Sequence, residues 1–255
     1  MRASGVRVLI AGESWISNAT HYKGWDHFSS AVYETGVRYL QEALASGGCI
    51  VTHMPSHLAA EAFPLDLAGL SAFDVVILSD IGANTLLLHP ETWLHGRPMP
   101  NRLKLLRQWV ADGGGLAMAG GYYSFGGIQG AAHYHGTAIE QILPVTIYPW
   151  DDRIEVPEGL MPEVTRPDHV VLRDVPLEWP ALLGYNDVQV KPDAALLASH
   201  EGRPLLAVHE FGKGRSLAWA SDIGPHWCPE PFATWSGFAT LWTNAVAWLA
   251  QRDMP

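Results

Sequence analysis

Cysteine is nearly absent from this sequence: Cys49 and Cys228 are the two present in 255 residues. Two thiols cannot make a disulfide-dense scaffold, and so few cysteines point to a reducing compartment. Positive charge is scarce as well. Lys and Arg total 16 against 26 Asp and Glu, a formal net charge of −10. No basic run or stripe stands out against that balance, which argues against a nucleic-acid phosphate backbone as partner and against an anionic membrane surface. No uncharged apolar stretch approaches the ~18 residues that would suggest a spanning helix. The opening "MRASGVRVLIAGES" runs straight into a strand-like segment and lacks the long apolar region and cleavage site of a secretory signal. A soluble cytoplasmic protein is therefore expected. Internal repeats and low-complexity linkers are also missing, so the expectation is one domain over residues 1–255, without a linker near Pro144.

What is present is enough apolar sequence, 48% of the chain, to fill a sizeable core. "VRVLIAG" (6–12) is short, branched and closed by glycine, as a buried strand should be. "CIVTHM" (49–54), "FDVVILSD" (73–80) and "LAMAG" (116–120) repeat that pattern. Between the first two, "ESWISNATHYKGWDHFSS" (13–30) is expected to be a polar, aromatic loop. The segment 31–48 that follows places Val32, Gly36, Tyr39, Leu40, Ala43 and Leu44 at helical spacing and ends in Gly47-Gly48. "NRLKLLRQWVADGGG" (101–115) predicts a second helix with Leu103, Leu106, Trp109 and Val110 on one face. Strands alternating with helices specify a doubly wound parallel sheet, which binds ligands at the C-terminal ends of its strands. Beyond Pro144 the pattern becomes β-rich: "DDRIEV", "DVQVK", "AALLAS", "PLLAVHEF" and "RSLAWASD" read as strands, with a hairpin at "HEFGKGRS". The closing "FATWSGFATLWTNAVAWLA" (232–250) is an amphipathic helix, followed by a polar tail. The division is thus a doubly wound core over 1–144 and a β-rich extension with closing helix over 145–255.

The stretch "LAMAGGYYSFGG" (116–127) poses the functional question. A strand ending in a glycine-flanked turn often displays a Ser or Cys nucleophile, and this turn has no cysteine. Together with "SDIGANTLLLHP", "NRLKLLRQWVADGGGLAMAGGYYSFGGIQG", "YHGTAIEQILPV", "DDRIEVPEG" and "GKGRSLAWASDIGPHW", it resembles the class I glutamine amidotransferase-like superfamily. Within that superfamily it is similar to a putative glutamine amidotransferase family of uncharacterised cytoplasmic proteins. These segments run in order through most of the chain. The resemblance implies a flavodoxin-like, mostly parallel α/β sheet with helices on both faces, and names no reaction. Glutamine amidotransferases carry a cysteine in the elbow and a histidine with a glutamate two residues on. Here Tyr122 or Tyr123 occupies the elbow region, and a phenol with a pKa near 10 is a poor nucleophile. His226 follows the last strand where the family histidine would sit, but Cys228 stands at the glutamate position and Glu230 lies further on. Glutaminase chemistry is not expected.

The candidate catalytic residues are Tyr123, Ser124, Asp222 and His226, the last two as an acid–imidazole pair. Candidate ligand-binding residues are Glu13, Asp80, Asn84, Tyr122, His133, His135 and Trp227. Each has a plainer alternative. Glu13 is a loop carboxylate binding backbone N–H groups. Asp80 and Asn84 cap turns. Asp222 caps a turn, with His226 packed on Trp227. His133 and His135, two apart, would point the same way in an extended segment and form a metal pair, but hydrogen-bonded histidines are the simpler reading. No metal and no cofactor are expected. Cys49 reads as core and Cys228 as a buried thiol. The eleven tryptophans, with Trp15, Trp25, Trp150, Trp179 and Trp227 in loops, serve packing, with a subset available to a sugar-like or apolar ligand. Two functions remain open: a hydrolase of an unknown small molecule with its site at the "GGYYSFGG" turn, or a non-catalytic small-molecule-binding or assembly module. Loop aromatics and the Trp-rich last helix lead us to expect a homodimer or higher homo-oligomer.

Overall fold

The computed structural model describes residue 3 and residues 5–252; the end of the polar C-terminal tail, 253–255, lies outside the described residues. In chain order the strands are β1 (Arg7–Gly12), β2 (Ser14–Lys23), β3 (Asp26–Thr35), β4 (Ile50–Met54), β5 (Val75–Ser79), β6 (Gly115–Ala119), β7 (Val145–Ile147), β8 (Arg153–Leu160), β9 (Glu163–Val164), β10 (Leu182–Asn186), β11 (Val188–Val190), β12 (Ala195–His200), β13 (Arg203–Phe211) and β14 (Gly214–Trp219). The helices are α1 (Arg38–Ser46), α2 (Ser56–Ala62), α3 (Leu67–Leu70), α4 (Ala83–Leu87), α5 (Pro90–His95), α6 (Arg102–Ala111), α7 (Ala138–Ile142), α8 (Glu230–Ala233) and α9 (Ser236–Leu249).

Eight strands form one sheet in the order β4-β1-β5-β6-β14-β13-β12-β9. The first five are mutually parallel, and β13, β12 and β9 continue the sheet antiparallel. Numbered along the chain, the parallel strands lie in the order 2-1-3-4-5, the flavodoxin-like arrangement. The apolar runs explain their placement. β5 and β6 are buried at every residue, as strands covered on both faces must be, while β4 at the sheet edge is not. One group of helices, α1 and α9, packs together, with α9 also against β6 and β14. A second group runs α2 to α4 to α6 to α7. α6 is capped by Asn101, which accepts from the Lys104 amide. The buried Arg102 guanidinium donates to the carbonyls of Ala59, Ala60, Thr85 and Leu86, tying the ends of α2 and α4 together.

Two expectations fail near the N-terminus. Residues 13–30 are not a loop, and the helix does not begin at residue 31. β2 and β3 pair over ten residues each, from Ser14 opposite Thr35 to Lys23 opposite Asp26, and α1 starts at Arg38. Val32 and Gly36 matched the helical spacing by coincidence. Gly36 sits between the hairpin and the helix. Strands β7, β9 and β10 were not read from sequence, and the closing helix starts at Ser236 after a separate turn of helix, α8. Trp179 and Trp227 lie in loops, as expected, and are buried there, as are Trp242 and Trp248 of α9. The last helix therefore spends its tryptophans on the chain's own interior.

Candidate functional site

Because β1, β5, β6 and β14 are parallel, the residues after each emerge on one edge of the sheet. Trp219 lies opposite Ala119 and Ser79 opposite Gly12, so Glu13, Asp80, the 120–127 turn and the 220–227 segment all collect there. β1 and β5 are also the neighbours at which the strand order reverses, the crevice where open α/β sheets bind ligands. A cavity of about 310 Å³ opens at this place, lined by Glu13, Trp15, Asp80, Tyr122, Tyr123, Asp222, Pro225 and His226.

Three carboxyl groups form its floor. Glu13 and Asp80 each end a strand with a left-handed backbone, φ 49° and 44°. Such a conformation costs of order 1–3 kcal/mol in a non-glycine residue and collects at functional sites. Glu13 is 3% exposed, and its Oε2 accepts from the Ser79 hydroxyl at 2.6 Å. Its other oxygen lies against Gly36, where a Cβ would stand 2.3 Å from Oε1. Asp80 Oδ1 accepts from the Tyr123 amide at 2.7 Å. Asp222 is 7% exposed, and its Oδ1 accepts from the amides of Ile223 and Gly224. Glu13 Oε1 thus accepts no hydrogen bond among the described residues, and Asp222 Oδ2 faces His226 Nδ1 at 4.0 Å.

Burial and crowding set the protonation of this group. Burial pushes Glu13 up to about 7, the Asp80 charge adds to the rise, and the Ser79 hydroxyl opposes it. Burial raises Asp80 too, against the Tyr123 amide and the nearby His226 charge. Asp222 is raised well above the usual carboxylate range by burial first, then by Glu13 and Asp80. These are carboxyls that share too little solvent to ionise together.

His226 closes the cavity. Its Nδ1 is 4.0 Å from Asp222 Oδ2 and its Nε2 is 3.7 Å from Glu155 Oε2, ion-pair separations longer than hydrogen bonds. The Tyr122 ring meets the imidazole edge-on with centroids 4.7 Å apart. Tyr122 Oη donates to Glu155 Oε1, and Trp227 Nε1 to Glu155 Oε2. Glu155 is thereby held beside His226 by two aromatic donors.

The glycine-rich turn is bolted down from below. Asp152 accepts from the amides of Gly126 and Gly127, and from Asn186 Nδ2; Asn186 Oδ1 accepts from the Gly121 amide. Within 120–127 the positive φ values fall on Gly121, Phe125 and Gly127, not on Tyr122, Tyr123 or Ser124.

Six of the sequence candidates meet in this cavity: Glu13, Asp80, Tyr122, Tyr123, Asp222 and His226. Trp227 is buried behind it. Ser124 is buried, and its Oγ accepts from the Asp80 amide at 3.1 Å, so the hydroxyl braces the acid from outside the cavity. Asn84 is exposed on α4 and is not among the lining residues. His133 and His135 are exposed, and neither lines the cavity. His133 has φ 59°, so the segment is not extended and the two rings are not presented as a pair. His135 instead bonds to the Ile147 carbonyl. Among the described residues, no group of three or more His, Cys, Asp or Glu is arranged to hold a metal ion. Cys228 is buried, with its thiol pushed up by burial and by Asp222 and Glu13. Sequence reasoning offered Trp15 only as one of several tryptophans available to a ligand, and missed Glu155 as the partner of His226 and the Asp152–Asn186 brace. Only Trp15 carried a local signal, two residues beyond Glu13.

Comparison with known proteins agrees with this architecture. A family model described as putative glutamine amidotransferase matches residues 7–251, and the chain belongs to that family. The cytoplasmic protein STM3548 from Salmonella typhimurium is 39% identical in sequence, with a TM-score of 0.91 over 95% of this chain and 98% of its own. The cytoplasmic protein STM1381 from Salmonella typhimurium LT2 is also 39% identical, with TM-score 0.91 over 96% and 99%. A putative ThuA-like protein from Parabacteroides merdae shares the fold at 12% identity, TM-score 0.57, over 98% of this chain and 92% of its own. A search of curated protein sequences finds no match. Among the described residues, no helix is long and apolar enough to cross a membrane.

Proposed function

We propose that the chain is a hydrolase of a small, non-anionic molecule, with Glu13 as the proton-transferring group and water as the nucleophile. One observation carries this reading: a buried carboxyl at the sheet's switch point, facing a cavity, is pushed up to about 7. At neutral pH such a group exists in both forms, which suits a general acid–base. In the step envisaged, ionised Glu13 takes a proton from water as the water oxygen bonds to the electrophilic carbon. The bond to the leaving group breaks, and the leaving group takes the proton from Glu13. His226, between Asp222 and Glu155, is the second site for a proton.

Chemistry through a covalent intermediate has less support. Residues 120–127 contain no cysteine, Ser124 is turned to the Asp80 amide, and Cys228 is buried. We therefore read the chain as a family member without the elbow cysteine and without glutaminase activity. Three acids on the wall disfavour an anionic substrate, and Glu13 Oε1, which accepts no hydrogen bond among the described residues, favours one that donates a hydrogen bond. Two free, buried thiols and the likeness to two proteins named as cytoplasmic support a cytoplasmic location.

The test is p-nitrophenol release from a panel of neutral p-nitrophenyl esters and glycosides, beside ammonia release from glutamine. The expected result is turnover of at least one neutral substrate, lowered by about 100-fold or more in Glu13→Gln, with ammonia at background. Ammonia release abolished by Cys228→Ala would show that the nucleophile had moved rather than vanished. A second reading, a binding module that kept the cavity without catalysis, is favoured by the glycine and phenylalanine at the strained positions of the turn. Ligand binding without turnover across the panel would select it.

A further inference from the structure

The β2–β3 ribbon has no place in the chain's own core. It forms a sheet of two strands, neither paired with any other strand. After Ser14 nearly every residue of both strands is exposed. A two-stranded hairpin alone is marginal in water and normally lays one apolar face on a core. The register puts apolar residues on both faces. Trp15, Phe28 and Val32 share one; Ile16, Tyr22 and Tyr33 share the other. Body contacts are confined to the root, where Ser14 Oγ accepts from the Ser56 amide and Tyr33 meets His57 edge-on. At the tip Trp25 is fully exposed.

We infer that this ribbon is an assembly arm that lies against the arm of a second copy of the chain across a two-fold axis. Three observations favour a second copy. Antiparallel pairing of a free strand edge with itself is two-fold symmetric, so the same surface serves both partners. The length is right: ten residues per strand give a free edge roughly 33 Å long, enough for a continuous antiparallel ladder with the arm of a second copy. The charge is right as well. On a chain of net charge −10, residues 14–35 carry Lys23 against Asp26 and Glu34, so this part of the surface comes together with little repulsion. Trp15, at the arm's root, also walls the cavity, so assembly fixes one side of the candidate site. The inference stands apart from the hydrolase reading, because its readouts are mass and exchange rather than turnover.

The experiment is light scattering of the full chain at micromolar concentration, with two variants. One carries Phe28→Lys and Val32→Lys together on one exposed face. The other replaces residues 18–31 by Asn-Gly, a two-residue turn that keeps Ser17 opposite Val32. We expect the wild type at twice the 27.9 kDa chain mass, and both variants at the chain mass with an unchanged cooperative melt. Amide exchange across 14–35 should quicken at least tenfold when the wild type is diluted to the monomer. A wild type at the chain mass, an oligomer that survives both variants, or exchange unaffected by dilution overturns the inference.

Discussion

Glu13→Gln should make this protein more stable, increasingly so above about pH 4.5 and in full from neutral pH upward. In the folded chain Glu13 titrates at about 7 rather than at its ordinary 4.5, chiefly because it is buried. Below about pH 4.5 the carboxyl is protonated in both folded and unfolded chains and contributes no pH dependence. Between 4.5 and 7 the unfolded chain loses the proton and the folded chain keeps it, so stability falls by about 1.4 kcal/mol per pH unit. Above 7 both forms are ionised and the loss reaches its full value of roughly 3 kcal/mol. Glutamine has the same shape and cannot ionise, and its amide oxygen can still accept from the Ser79 hydroxyl. The substitution also removes one of the charges that raise Asp222. The expected gain is about 3 kcal/mol at pH 8 and less than about 1 kcal/mol at pH 5. For a chain of this length that is about 6 °C in Tm at pH 8. Urea denaturation at the two pH values, with an unchanged m-value, measures it directly. A Gln variant less stable than wild type at pH 8, or a difference equal at both pH values, would mean that the folded chain stabilises the Glu13 charge, and the reasoning would fail. Stabilisation coupled to lost turnover is the signature of a group kept for function at a cost to the fold.

Three further outcomes follow from neighbouring contacts. Asn186→Ala should destabilise by about 2–4 kcal/mol, because the Gly121 amide and one Asp152 oxygen lose buried partners; denaturant melts check this. Gly36→Ala should raise KM or abolish ligand binding, since its Cβ would stand 2.3 Å from Glu13 Oε1 and force the carboxyl to move; calorimetric titration with whichever substrate the panel yields reads it. Neither thiol should react with a disulfide reagent in the native chain at pH 8, since burial pushes Cys49 up to about 11 and raises Cys228 well above its ordinary range. Both should react in urea.

The central sheet was legible because its strands advertise themselves. "VVIL" and "LAMA" are apolar at every position, a pattern required only of strands covered on both faces. The site was legible for a related reason: in each parallel strand the first polar side chains after the apolar run must sit on the ligand-binding edge. That rule applies to Glu13, Asp80 and the 122–124 turn; Asp222 and His226 reach the same edge because β14 runs parallel to β6, which the preceding hairpin left open in the sequence. The arm was illegible because exposure on both faces erases the alternation that marks a strand. In its place Val32 and Gly36 offered a false helical period leading into the true helix at Arg38. Glu155 and the Asp152–Asn186 brace come from beyond residue 150 and carry no local mark. Only the pairing of β8 with β10 brings Arg153 opposite Asn186 and the brace under the turn.

The "GGYYSFGG" turn can now be understood through what it holds. Its Tyr123 amide donates to Asp80, its Ser124 hydroxyl accepts from the Asp80 amide, and its Tyr122 ring lies on His226. Every one of these contacts is directed at a titratable residue of the cavity or at its backbone. Gly126 serves the same end, since a Cβ there would stand 2.8 Å from the Asp152 oxygen that anchors the turn. A turn built to display a nucleophile would put a reactive side chain at its strained position; here those positions belong to glycines and to the buried Phe125. The geometry is that of a clamp on carboxylates. It keeps Asp80 in a left-handed conformation beside Glu13, and the closeness of the two acids is one cause, after burial, of Glu13's raised pKa. Loosening the clamp, as in Asn186→Ala, should therefore lower the pKa of Glu13 as well as the melting temperature. The pH at which stability begins to level off would then move below 7 in that variant.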